Sequence, residues 1–177
     1  MQAFNARKAD ENSIQAMFAE IATAALSGGY FLVNNETKIF PMDIEFYLYG
    51  ERKDEEPWMK DPKMYHKGPD VPYIPVIGTF YPHESGVDVT FENEQEEYRA
   101  SFLIRAYKYE ENGEVVSKPR YLWEDLFSYG SFFGDGLHIV WVDGPEDTDV
   151  TIETDVRVNL KDGKGQPDLK PWRFFRK

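Results

Sequence analysis

Residues 41–50 read PMDIEFYLYG, with the carboxylates of Asp43 and Glu45 set inside an otherwise apolar, aromatic run. In an extended strand alternate residues share a face. Asp43, Glu45 and Tyr47 then point one way, and Ile44, Phe46 and Leu48 the other. A carboxylate in such a place is either a solvated strand residue or a working acid–base group, and both readings stay open on the residues alone. If Arg105, inside SFLIRAY, lies on a neighbouring strand, its guanidinium could pair with Glu45 or with Asp43. The three histidines, His66, His83 and His138, are far apart in the chain. The stretch HESGVD offers His83, Glu84 and Asp88 without a recognised ligand spacing, so a hairpin turn is its expected use and no metal is expected. A P-loop, a GxGxxG, a GxSxG elbow and an HExxH helix are all missing, and no cofactor is expected.

These residues need a scaffold, and hydrophobic periodicity outlines one. From a cap at Asn12 or Ser13, the apolar residues Ile14, Met17, Phe18, Ile21 and Ala25 recur at helical offsets, and SGG at 27–29 closes the helix. YFLVNNETKIF predicts two strands joined at Asn34-Asn35, the second running on through Pro41. From Glu51 to Pro75, five prolines (57, 62, 69, 72, 75) predict one long surface loop. Two strands are expected around PHESG, one over EYRASFLIRAYKYE, a turn at ENGE, a short helix over RYLWEDLFSYGSFF, and strands over LHIVWV and DVTIETDVRVNL. Strands outnumber helices. The expected fold class is therefore α+β, a single domain over 1–177 on a curved, mainly antiparallel sheet with a few helices.

Bulk properties narrow the function. The chain has 177 residues, enough for a real core, and no cysteine, which excludes disulfides and thiolate metal sites. No apolar run approaches the ~20 residues a membrane span needs. The opening MQAFNARKADENS lacks the apolar core of a signal peptide, so a cytoplasmic location is expected. A net charge of −12 argues against a generic nucleic-acid surface, which needs basic residues.

The order of several segments resembles the alkyladenine (3-methyladenine) DNA glycosylase family. DIEFYLYG (43–50) is similar to the family strand E-T-E-A-Y-L-G, which lays Glu45 on the catalytic glutamate and Tyr47 on a wall of the base pocket. MYHKG resembles the segment carrying the pocket histidine, here His66. IGTFYPHESGVDV is similar to the hairpin whose tyrosine wedges into the duplex, here Tyr81, with Asp88 at the family's asparagine. SFLIRAY resembles V-L-L-R-A-[LI]-E-P and places Arg105 on the arginine that helps hold the attacking water. LKPWRFF (169–175) is similar to L-P-W-R-F-Y. The resemblance implies a monomeric hydrolase acting on duplex DNA in base excision repair, flipping a damaged or alkylated purine into an aromatic pocket.

The chemistry implied has a short parts list. Hydrolysis of an N-glycosidic bond passes through an oxocarbenium-like sugar, so a carboxylate must take a proton from water and offset positive charge. An aromatic slot must hold the base, and a cation must keep water and carboxylate in register. On the resemblance Glu45 and Arg105 are catalytic, Tyr47, His66 and Asp88 line the base pocket, and Tyr81 is the wedge. Lys164, Lys170 and Arg173, in the locally basic tail, are phosphate contacts or a solubilising terminus. Gly78 in place of a second stacking tyrosine, Asp88 in place of asparagine, and the acidic surface keep two alternatives in view. One is a non-catalytic binding protein of the same fold. The other is a hydrolase of free modified nucleosides or nucleotides.

Overall fold

The computed structural model describes residues 10–52, 55–61, 63–68, 70–130, 136–144, 149–162 and 164–177. The polar opening residues 1–9, and Pro62 and Pro69 of the expected loop, lie outside that set. The first apolar stripe forms α1 (Glu11–Ser27), which starts slightly earlier than its stripe suggests. Asp10 is the cap: its carboxylate accepts from the Ser13 amide at 2.8 Å, and the Ser13 hydroxyl accepts from the Asp10 amide at 2.9 Å. Ser13 is thus the returning half of a capping box, not the cap itself. The helix buries Ile14, Phe18, Ala22, Ala25 and Leu26, with Met17 and Ile21 packed at the edge.

Two asparagines in the left-handed region, Asn34 (φ 50°) and Asn35 (φ 61°), turn β1 (Gly29–Val33) into β2 (Thr37–Arg52). Asparagine tolerates that region better than most residues. The Asn34 side chain also ties the turn down, donating to the Tyr129 carbonyl and accepting from the His138 amide, both at 2.8 Å. The remaining strands are β3 (Glu55–Met59), β4 (Thr79–His83), β5 (Gly86–Thr90), β6 (Tyr98–Tyr109), β7 (Val115–Val116), β8 (Ile139–Asp143), β9 (Ile152–Asp155) and β10 (Arg173–Arg176). They form one curled antiparallel sheet in the order β4-β5-β6-β2-β1-β8, with β3, β7, β9 and β10 joined off this path. Together with α1 and α2 (Pro119–Tyr129) this is an α+β architecture.

Two expectations are corrected. The stretch after Glu51 is not loop throughout, because β3 pairs with the end of β2, Gly50 opposite Met59 and Arg52 opposite Glu55. An edge strand accepts Pro57, whose missing N–H can face away from the ladder. Conversely the strand expected over DVTIETDVRVNL stops at Asp155. The next residues leave the sheet and cross its other face.

The sheet's two faces differ. Ile44, Phe46 and Leu48 are fully buried in the main core under α1, where Phe18 stacks on Phe46 at 4.4 Å and meets Trp172 edge-on. Tyr47 and Leu103 pack on the opposite face against Met64 and Leu160. The ladder between β2 and β6 is interrupted twice, once between Pro41 and Asp43 and once between Asp43 and Ile44. The first irregularity leaves Met42 as the extra residue of β2. The second leaves Arg105 as the extra residue of β6, since Asp43 pairs with Ala106 and Ile44 with Ile104. Each bulge switches the side to which its own strand's alternation points. Ile39 and Ile44, five positions apart, consequently both reach the main core, as do Tyr107 and Ile104.

Candidate functional site

The face opposite α1 carries the site. Register places Asp88 of β5, Leu103 of β6, Glu45 of β2 and Arg173 of β10 in one row across four strands. Ser101 and Tyr47 form the adjacent row. Arg105, two residues on from Leu103 and unpaired in the ladder, faces Glu45, with Nη1 3.2 Å from Oε2. Above these rows lie residues 63–65 and 158–160. Together they enclose a cavity of about 200 Å³ lined by Glu45, Tyr47, Asp88 and Arg105, and by Lys63, Tyr65, His83 and Asn159 that the sequence reading had not placed there.

Glu45 is the buried acid of the opening motif, 1% exposed. Its Oε1 accepts from the Tyr47 hydroxyl at 2.6 Å, and its Oε2 accepts from the Val158 amide at 3.0 Å in addition to facing Arg105. A carboxylate has about four acceptor positions. Among the described residues two hydrogen bonds reach Glu45, one on each oxygen, and Oε1 accepts from Tyr47 alone. Burial, and then the neighbouring Glu45 carboxylate, push the Tyr47 hydroxyl far above its ordinary pKa, so it stays a donor to Glu45.

Asp88 has a partner on each oxygen: its Oδ1 meets His83 Nε2 at 3.0 Å and its Oδ2 accepts from the Ser101 hydroxyl at 2.7 Å. The Ser85 amide donates to His83 Nδ1 at 3.2 Å, so Nε2 carries the proton toward Asp88. The His83 ring stacks on Tyr65 at 3.9 Å between centroids, giving the cavity a flat aromatic wall.

The 156–168 segment is fixed by a second buried cluster. Arg157, 3% exposed, pairs with Asp61 and Asp168, donates to the Phe46 carbonyl at 3.0 Å, and lies over the Tyr47 and Trp172 rings. Burial opposes its charge, but Asp61 and Asp168 outweigh burial and raise its pKa. Holding Arg157 holds Val158, and hence the amide on Glu45.

Not every candidate residue converges here. His66 lies outside the cavity lining. It is buried with Nδ1 on Glu92, near Arg99, whose guanidinium also donates to the carbonyls of Val71, Pro72 and Gly68. That cluster fastens the 66–74 loop to the sheet. Tyr81 is not at the hairpin tip: it sits within β4 opposite Asp88, its ring 5.2 Å from His66, and the turn is Glu84-Ser85. Gly86 (φ 148°) completes that turn where a Cβ would come within 3.0 Å of Leu103 and Pro119. Arg173 grips Asp43 with Nε and Nη2, the latter at 2.7 Å, and Lys170 pairs with Asp168 at 3.4 Å, whereas Lys164 is exposed.

Among the described residues no three His, Asp or Glu side chains cluster as metal ligands, and no helix is long and apolar enough to cross a membrane. No protein-family model, no curated protein and no solved structure matches the chain.

Proposed function

We propose that the cavity binds a modified purine nucleoside or nucleotide and that Glu45 is the general base for hydrolysis of its N-glycosidic bond. The observation that carries this reading is a buried carboxylate whose Oε1 accepts from Tyr47 alone among the described residues, held by Tyr47, Val158 and Arg105 at the side of a small cavity with an aromatic wall. Ligand pockets commonly span ~300–1,000 Å³. At about 200 Å³ this one suits a single heterocycle with its sugar at the mouth. Water on Oε1 would pass a proton to Glu45 as its oxygen bonds to C1′. The C1′–N bond breaks, and its electron pair leaves with the base. Arg105 keeps the carboxylate oriented and Tyr47 fixes the other oxygen.

A free nucleoside or nucleotide fits better than an intact duplex. Arg173 and Lys170 are engaged by Asp43 and Asp168, Tyr81 is held inside a ladder, and the chain carries −12. Incubation with 7-methylguanosine and 1,N6-ethenoadenosine, with free base followed by chromatography, tests the reading. Wild type should release base, and Glu45→Gln should slow release by about 10²–10⁴-fold, the usual contribution of a positioned base. Base release by Glu45→Gln at the wild-type rate would sink the assignment. Binding without release by wild type would instead make this a ligand-binding protein. Faster release from an alkylated duplex than from the nucleoside would return DNA as the substrate.

A further inference from the structure

The cavity's rim carries an ammonium that no carboxylate of its floor meets. Lys63 lines the cavity, is exposed, and has no ion-pair partner among the described residues. The carboxylate nearest it in sequence, Asp61, is committed to Arg157. A second ammonium, Lys67, is close: its Nζ donates to the Asp61 carbonyl at 3.4 Å. Its pKa is lowered, first by burial and further by Lys63, with Asp61 working the other way. Across the cavity Arg105 carries five N–H donors, brings Nη1 to 3.2 Å from Glu45, and has a side chain one-fifth exposed. Neither cavity acid is paired with Lys63: Glu45 is met by Tyr47, Val158 and Arg105, and Asp88 by His83 and Ser101. On a chain of net charge −12, an ammonium without an ion-pair partner among the described residues and a partly exposed guanidinium lining one cavity mark a place for an anion.

We infer that Lys63 and Arg105 bind the phosphate of a mononucleotide whose base occupies the cavity, so that the site prefers nucleoside monophosphates to nucleosides. This rests on the N-glycosidic reading for the identity of the base and sugar, but its test does not need catalysis. Binding of 7-methylguanosine and of its 5′-monophosphate to the Glu45→Gln protein is measured by titration calorimetry. The monophosphate should bind about tenfold to a hundredfold more tightly, as charge-assisted hydrogen bonds allow. Lys63→Ala in the same background should bring the two affinities together, with an unchanged melting temperature, and Lys63→Arg should keep the preference. Equal binding of both compounds overturns the inference, as does a preference that survives Lys63→Ala, or no binding of either compound. A Lys63-dependent preference in a protein whose wild type releases no base leaves the phosphate site standing and removes the hydrolytic reading.

Discussion

Replacing Arg157 by methionine removes the cation that joins three parts of the molecule while keeping much of its apolar bulk. Asp61 and Asp168, 3% and 5% exposed, then lose their buried partner. Breaking a buried pair by deleting one member costs about 3–5 kcal/mol, because a charge is left without compensation. Here two acids are orphaned, but neither completely. Asp168 keeps the Lys170 amide at 3.0 Å and its ammonium at 3.4 Å, and Asp61 keeps the Lys63 amide at 3.2 Å. The Phe46 carbonyl also loses its donor. We expect a loss of about 4 kcal/mol, a large share of the 5–15 kcal/mol that typically holds a domain together. For a chain of this size that is a fall in Tm of roughly 8–16 °C. Urea unfolding followed by tryptophan fluorescence measures it. Adding Asp61→Asn and Asp168→Asn should restore part of the loss, since the penalty lies in the stranded charges and not in the missing side chain. A loss under about 1 kcal/mol for Arg157→Met, or no recovery in the triple variant, refutes the reasoning that this cluster holds the Val158 segment over Glu45.

Alkali should unfold the protein through its buried tyrosines. Tyr47 and Tyr107 have pKa values pushed well above the ordinary value, Tyr47 by burial and then Glu45, Tyr107 by burial and then its hydrogen bond to Asp125. A raised pKa keeps its full stabilisation below the unfolded value near 10 and loses it above, at about 1.4 kcal/mol per pH unit for each group, so melting temperatures between pH 8 and 11.5 should be flat and then fall. At the acid end Asp168 is lowered: burial raises it, but the Lys170 amide and Arg157 more than offset that. Its stabilisation is present above the unfolded value near 3.9 and lost as pH falls further, which denaturant midpoints from pH 6 to 3 will register, with a shallower slope when Asp168 is replaced by Asn. Phe46→Ala empties the ring position between Phe18, Phe91, Phe102 and Phe174 and should cost about 3–5 kcal/mol.

Strand alternation made one side of the site legible. Glu45 and Tyr47 share a face because they are two apart on β2, and that parity holds wherever the strand is regular. Arg105 shares that face by the same parity, two residues on from Leu103 of β6, and both its charge inside SFLIRAY and the resemblance singled it out. His83 could have been found by extending the alternation from Tyr81 across the hairpin, since Tyr81 pairs with Asp88 and His83 is two residues on. Weighing HESGVD as a metal or turn motif hid that relation. His66 was singled out by the resemblance of MYHKG to a pocket-histidine segment, but its place depends on Glu92 and Arg99, which lie 26 and 33 residues away. Arg157 and Asp61 are 96 residues apart, and the Val158 amide is backbone; neither long-range pairing of charges nor the path of an irregular segment is written in local periodicity.

The double interruption of the β2–β6 ladder ties the lengths of these two strands to each other. Each ribbon has one supernumerary residue, Met42 on one and Arg105 on the other, so the hydrogen-bond count comes back into step while the inside-outside phase of both is inverted halfway along. Deleting Met42 by itself would turn Ile39 outward or drive Glu45 into the phenylalanine cluster. Length changes in related chains should therefore be confined to the loops, or arrive as matched pairs at these two positions.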